Sequence, residues 1–498
     1  MPYFTATAAN IAIGYWSHDI YGGQPTPDVA MDHELSVRWT QYGVYAPVLR
    51  MHDKGEGAGP CAEQQGCGLI VPWDHPHYYF ALIRDALVQR SELLPYVYAA
   101  SYKFSKTGVP FVRPLYHEFD LPGAYEHRNT YFFGDDMVVA PAVTKADNIT
   151  RLTNVATWIP PGEWWDTFSA SLVDGPVNHS VQADLSETPR LIRGGAIVLT
   201  QPFDRRSPFG SAVAQPGTVQ ATIYPSRDHN LRADAILHED DGLTWDPESL
   251  DHYTKFSYTK HERRSAITFN ISIDADPMRR YPRDFKIVFV SSGPIAKIHW
   301  PGQPGQEHNG ISVSYDPFEM AATILIEKKS AAAVLPIEMM VTTVHLDRTL
   351  LEKVPFVLRR ARLAKTEQDI VGMNRNDMAG AKDYNDQMVL LNTFPVAIRK
   401  AFQRPITDIF HENDDEIDTA HPDGTKYTTL LVDFWELVHA NSKALPEFCK
   451  THGFRVNDRI LALMAPFGLE TFRAQTLEQV TGTTHVDEID NGSNIIFV

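Results

Sequence analysis

The chain has 498 residues, 43% hydrophobic and 21% charged, with a formal net charge of −17 at pH 7. This is the composition of a folded protein long enough for several domains, which excludes a chain that is disordered throughout. The acidic excess argues against binding of nucleic-acid phosphates, which needs a basic surface. No run reaches the roughly 18 apolar residues of a membrane span. A neutral ligand such as a sugar fits this balance better.

In chain order, residues 11–16 predict a short buried strand ending at His18-Asp19. A turn-rich Tyr21-Gly-Gly-Gln-Pro loop follows. Asp32 then opens a helix as its N-cap, and Gly43 closes it. Residues 45–49 predict a second buried strand, ending in Arg50-Met-His52. A glycine-rich loop with Cys61 and Cys67 leads to a helix over about 77–106, stopped by Gly108-Val-Pro110. About 30 residues separate the two strand ends, the spacing of one β/α unit. From 111 to 335 the pattern becomes β, with short strands between Gly, Pro and Asp turns, and predicts two β-sandwiches in series, 111–216 and 217–335. Residues 336–498 predict a mainly helical extension, with helical apolar spacing over 346–365, 427–440 and 455–465 and a solvated acidic run at 412–416.

Several patterns leave their meaning open. Cys61 and Cys67 are placed to pair in an oxidising compartment, or to stay as two free loop thiols. Met1-Pro-Tyr-Phe-Thr has neither the basic segment nor the apolar run of a signal peptide. Asn148, Asn178, Asn270 and Asn491 each begin a glycosylation triplet, so the secretory pathway stays open and the compartment unknown. No metal-ligand cluster, phosphate loop, nucleotide fingerprint or Ser/His/Asp signature stands out, and no cofactor is expected.

Read in order, a series of segments resembles glycoside hydrolase family 31. Tyr15-Trp-Ser-His-Asp-Ile-Tyr-Gly-Gly23 is similar to a family segment of aromatic, polar pair and Asp-Ile, with Gly23 departing from the Phe or His usual there. Glu34-Leu-Ser-Val-Arg-Trp-Thr-Gln-Tyr-Gly-Val-Tyr-Ala-Pro-Val-Leu-Arg-Met-His52 resembles the family's Glu-Leu, Arg-Trp, Gly and Pro-x-x-Arg-x-His run. Pro72-Trp73, Leu93-Leu-Pro-Tyr-Val-Tyr98, Arg113-Pro-Leu115, Phe133-Gly-Asp-Asp136, Trp158-Ile-Pro-Pro-Gly-Glu-Trp-Trp-Asp166 and His238-Glu-Asp-Asp-Gly242 continue the series.

The resemblance implies an α/β plus all-β chain. Residues 1–110 would be the last two β/α units of a (β/α)8 TIM barrel, followed by the two sandwiches and the helical extension. It implies a retaining α-glycosidase, of α-glucosidase or α-xylosidase type, acting on an α-glycoside with two Asp as nucleophile and acid/base. Neither is expected within this chain: residues 1–18 contain no Asp. Trp73-Asp74, Trp165-Asp166 and Trp245-Asp246 read as structural or turn residues rather than displaced nucleophiles. His52 would bind a sugar hydroxyl, since an imidazole offers one donor and one acceptor. Arg50 would order the site by pairing with a carboxylate. Asp19 would line the same pocket and Trp16 would offer an apolar face. An incomplete barrel exposes strand edges and apolar faces, so self-association or a partner chain is expected. A carbohydrate-binding chain that has lost the chemistry is the competing expectation.

Overall fold

The computed structural model describes residues 2–21, 31–52, 71–203, most of 216–344 and a few positions between 351 and 363. The Gly22-Gly23 loop, all three cysteines, Trp245-Asp246 and the expected helices at 427–440 and 455–465 lie outside the described residues, as do most residues of that at 346–365, whose described positions are helical.

The chain opens with a short helix, α1 (Pro2–Thr7), followed by a single 3-10 turn. Residues 11–16 do not form the expected buried strand. Ile11 and Tyr15 are 74% and 57% exposed. An apolar run becomes a strand only when a ladder and a core take it up, and extended pairing begins only at Ser17. Ser17 bridges Val48 and Ile20 bridges Met51, both in parallel. The second expected strand is likewise displaced: Tyr45, Ala46 and Pro47 turn and are buried, and the paired residues follow them.

Between these segments lies α2 (His33–Val44), capped as expected. Asp32 Oδ1 accepts from Leu35 N at 3.1 Å. The single helix expected over 77–106 is two, α3 (His77–Glu92) and α4 (Leu94–Thr107). They break at Leu93 because Pro95, with no N–H to donate, suits a first turn and not a helix interior. Gly108 ends α4 in the left-handed region, φ +72°. Parallel segments joined through α2 and followed by α3 and α4 have the order of a β/α crossover.

The first sheet has the strand order β1-β2-β3-β6-β4-β5. Its strands are β1 (Val112–Pro114), β2 (Tyr131–Phe133), β3 (Met137–Val139), β4 (Thr153–Asp166), β5 (Ser171–Ala183) and β6 (Arg190–Arg193). All its pairings are antiparallel. A short helix, α5 (Pro122–Glu126), packs beside it. The period of two sorts its side chains. Tyr131, Phe133, Met137, Val139, Trp165 and Ile192 face the helices with Tyr42, Val44, Tyr45 and Val97. Phe132, Val138, Trp164 and Leu191 face the other way with Leu115 and Trp158. This unit is thus one sheet with a core on each face rather than a pair of sheets.

Two five-stranded sheets follow, in the orders β13-β16-β11-β10-β9 and β14-β15-β12-β8-β7. They comprise β7 (Ile197–Thr200), β8 (Thr218–Ile223), β9 (Arg232–Glu239), β10 (His252–Arg263), β11 (Ala266–Ala275), β12 (Asp284–Phe289), β13 (Ile295–His299), β14 (Ile311–Asp316), β15 (Ala321–Ile326) and β16 (Ile337–Val344). Phe269, Ile271 and Ile273 of β11 share one core with Phe285, Ile287 and Phe289 of β12. Alternate residues of both sheets meet face to face, as in a sandwich. β7 pairs with β8, so the chain passes between units at Gly194-Gly195, upstream of the boundary read at 216. Beyond β16, Phe356 packs on Phe168, Val155 and Val181 of the first unit.

Candidate functional site

The parallel bridges set the site. Ile20 N donates to Arg50 O at 3.2 Å and His52 N donates to Ile20 O at 2.8 Å. This register brings the side chains of Asp19, Arg50 and His52 together. Arg50 Nη2 donates to Asp19 Oδ1 in a short contact. His52 Nε2 lies 3.8 Å from Asp19 Oδ2. Side-chain exposures of 54% for Arg50, 45% for Asp19 and 40% for His52 leave all three open to a ligand. Trp16 packs edge-on against Phe4 of α1, ring centroids 5.1 Å apart.

The segment carrying Arg50 and His52 is held from below. Residues 44–47 form no ladder, so their buried carbonyls need other donors. Arg90, in the last turn of α3, donates Nη1 to Val44 O at 2.7 Å and Ala46 O at 2.8 Å, and Nη2 to Pro47 O at 2.9 Å. The remaining carbonyl, Tyr45 O, accepts from Tyr131 Oη of β2 at 3.0 Å. Four consecutive carbonyls are thus fixed by two side chains. Burial draws the Arg90 guanidinium down to about 10, a measure of its desolvation. It also pushes the Tyr131 phenol well up, ahead of the smaller effects of Tyr42 and Tyr45. Sequence reasoning missed both residues, because a side chain that serves backbone carbonyls has no partner motif.

Other groups around the site are structural. His18 is buried against Tyr42, centroids 4.4 Å apart, and burial draws its pKa down to about 4. His75 Nδ1 meets His33 Nδ1 at 3.0 Å, and burial, followed by His33, lowers its pKa. Among the described residues no group of three His, Cys, Asp or Glu is arranged to hold a metal ion. Asp166 is fully buried. It accepts from Phe168 N, Ser169 N and Ser169 Oγ and lies 3.1 Å from His179 Nε2, so it braces the β4–β5 turn. Asp74 sits in a 3-10 turn.

Residues 3–100 match the model of the glycosyl hydrolases family 31 TIM-barrel domain, and residues 108–198 match that of the family's C-terminal domain. Both matched stretches are thus similar to domains of glycosyl hydrolase family 31. It is 24% identical over 287 residues to an α-xylosidase of Saccharolobus solfataricus, covering 56% of this chain and 35% of that protein. It is 26% identical over 315 residues to neutral α-glucosidase AB of Homo sapiens, covering 62% and 30%. A Flavobacterium johnsoniae family 31 dextranase complexed with isomaltotriose shares the fold, with a TM-score of 0.54 and 21% identity over 68% of this chain and 41% of that one. The chain spans about a third of the length of these two curated relatives. No described helix is long and apolar enough to cross a membrane.

Proposed function

We propose that this chain contributes the sugar-binding side of a retaining α-glycosidase acting on an α-glucoside or α-xyloside. The observation that carries the reading is the meeting of Asp19, Arg50 and His52 at neighbouring ends of two parallel segments. Asp19 and His52 hydrogen-bond sugar hydroxyls. Arg50 fixes the Asp19 carboxylate, leaving Oδ2 for the ligand. Trp16 supplies an apolar edge to the same pocket. Residues 1–110 act as the closing β/α units of a barrel, with the first sheet, up to Gly194-Gly195, and the sandwich that ends at β16 as β domains supporting it.

Retaining hydrolysis needs two carboxylates about 5–5.5 Å apart. Asp19 alone does not supply both, so the nucleophile and acid/base are assigned to barrel strands outside this chain, on a partner chain or on further sequence. A second reading, sugar binding without turnover, rests on Asp19 being the one carboxylate in the cluster with Arg50 and His52.

Titration of the chain with isomaltotriose and with an α-xyloside, followed by calorimetry, tests the site. We expect an affinity on the order of millimolar, lost in His52→Ala and in Asp19→Ala. Absence of binding, or binding indifferent to both substitutions, removes the proposal. Release of 4-nitrophenol from its α-glucoside after adding the missing barrel portion supports the enzyme. Sugar affinity with no turnover in that assembly supports the second reading.

A further inference from the structure

Three elements bring side chains to one patch of surface, each from the position next to a buried anchor. Ala9 of the 3-10 turn after α1, Leu115 of the 3-10 turn Leu115–His117 and Ala124 of α5 are all buried. Their chain neighbours differ: Asn10 and Tyr125 are exposed and Tyr116 is half-buried. α5 cannot sink to cover Tyr125. A Cβ on Gly123 would stand 2.4 Å from the Trp158 ring, so the helix already rests directly on that indole.

The rings of Tyr116 and Tyr125 stack, with centroids 5.0 Å apart and planes 7° from parallel. Tyr116 packs in turn on the core that holds Leu115, Phe132 and Trp158. One face of Tyr125 is therefore covered, and its 48% exposure lies on the other face and the rim. Polar groups hold the two rings in place. Tyr125 Oη donates to Asp120 Oδ1 at 3.0 Å. Asn10 Nδ2 donates to Tyr116 Oη at 2.9 Å, and Asn10 Oδ1 lies 2.8 Å from His117 Nε2. An amide oxygen only accepts, so His117 Nε2 carries the proton and Nδ1 of the neutral ring is an acceptor. Burial, followed by the Arg113 charge, lowers the His117 pKa and favours that neutral ring. Among the described residues no hydrogen bond engages His117 Nδ1 or Asp120 Oδ2.

A flat aromatic face bordered by free acceptors suits a pyranose ring. The slightly positive C–H groups of the sugar meet the negative π face, and its hydroxyls donate to the rim. The Asp120 carboxylate disfavours an anionic ligand. Because the stack and the Asp120 bond fix the Tyr125 ring beforehand, little freedom remains to be lost on binding.

We propose that Tyr125, stacked on Tyr116 and flanked by Asp120 and His117, is a surface site for one pyranose ring of a neutral oligosaccharide. It shares no residue with the Asp19–Arg50–His52 cluster and does not depend on sugar binding there. A single ring on a single aromatic face binds weakly, with Kd of roughly 10 mM, above the range expected of the cluster.

The test is saturation-transfer NMR of maltoheptaose with the full chain carrying Asp19→Ala and His52→Ala, which removes the cluster. Transfer to the sugar C–H protons is expected. It should be lost on adding Tyr125→Ala and kept on adding Tyr125→Phe, which retains the face. Asp120→Ala should weaken binding by roughly threefold to tenfold, the worth of one hydrogen bond. No transfer in the Asp19→Ala, His52→Ala chain overturns the proposal, as does equal transfer after Tyr125→Ala. It is also overturned if tetramethylammonium binds there more tightly than the sugar, since a ring beside a carboxylate would then be a cation site. Should Tyr125→Ala not fold, Asp120→Ala, at an exposed position, decides the matter. A parent chain that binds no more tightly than the Asp19→Ala, His52→Ala chain counts against the cluster and leaves this patch standing.

Discussion

Replacing Arg90 by Ala should loosen the segment that carries Arg50 and His52. The side chain makes three charge-assisted hydrogen bonds to consecutive backbone regions, at 2.7, 2.8 and 2.9 Å. Each bond of this kind is worth about 1.5–3 kcal/mol net. Against them stands the cost of burying the guanidinium, visible in a pKa drawn down to about 10 by burial. Removing the side chain relieves that cost but leaves three carbonyls to find water, so the terms do not simply add. A loss of about 3 kcal/mol is expected for Arg90→Ala, and roughly half that for Arg90→Lys, whose ammonium cannot span all three acceptors. Urea unfolding measures the loss, and imidazole resonances of His52 report the site. For a unit of some 200 residues, 3 kcal/mol lowers Tm by roughly 6–12 °C. Unchanged stability in Arg90→Ala, with His52 signals superimposable on the parent's, would refute the claim that Arg90 holds the site.

Other expectations follow from buried charge. His18 has its pKa drawn down to about 4 by burial, against an ordinary value of 6.5. The folded chain therefore favours the neutral ring. Stability falls as pH drops from about 6.5 towards 4, by up to roughly 3 kcal/mol, and His18→Phe should flatten this part of a pH–stability curve. The curve of the parent staying level across that window would contradict the assignment. Arg283 Nη2 donates to Glu239 Oε1 at 2.6 Å, with the two side chains 3% and 4% exposed, and Thr254 Oγ1 donates to Glu239 Oε2 at 3.0 Å. Arg283→Met should cost about 3–5 kcal/mol by stranding the carboxylate, whereas Arg283→Met combined with Glu239→Leu should recover most of it. Equal losses in the single and double variants would show that the pair itself stabilises the sandwich.

Local chemistry was legible in the sequence where it is expressed through side-chain patterns. The Asp32 cap was readable, and the Gly108 stop also fell where expected. The spacing from Asp19 to His52 put the three polar groups at neighbouring segment ends, and they do meet. Alternation identified β11 and β12 because both faces of a two-layer core select apolar residues at every second position. Two features were misread for physical reasons. Residues 11–16 have the apolarity of a strand, but burial depends on what lies above them, and Ile11 and Tyr15 face solvent. The passage between β units at Gly194-Gly195 was hidden because only residues 194–196 separate β6 from β7. The two strands pair with different sheets, a difference of partners rather than of composition.

The candidate site also depends on the first sheet, and this dependence is itself testable. Tyr131 belongs to β2 in the first sheet, yet its hydroxyl donates to Tyr45 O, between the carbonyls held by Arg90. Tyr131→Phe keeps the ring, which is fully buried among Tyr42, Tyr45 and Phe133, and removes only the donor. It should cost about 1–3 kcal/mol, the penalty of a buried carbonyl left without a partner. If Arg90 and Tyr131 support one rigid segment, their losses are not independent, because a segment already released by Arg90→Ala has less to lose from Tyr131→Phe. The double variant should then be more stable than the sum of the single losses predicts, by at least about 0.5 kcal/mol. Additive losses would mean that each residue stabilises only its own carbonyl. In that case the first sheet contributes to the stability of the chain but not to the placement of Arg50 and His52.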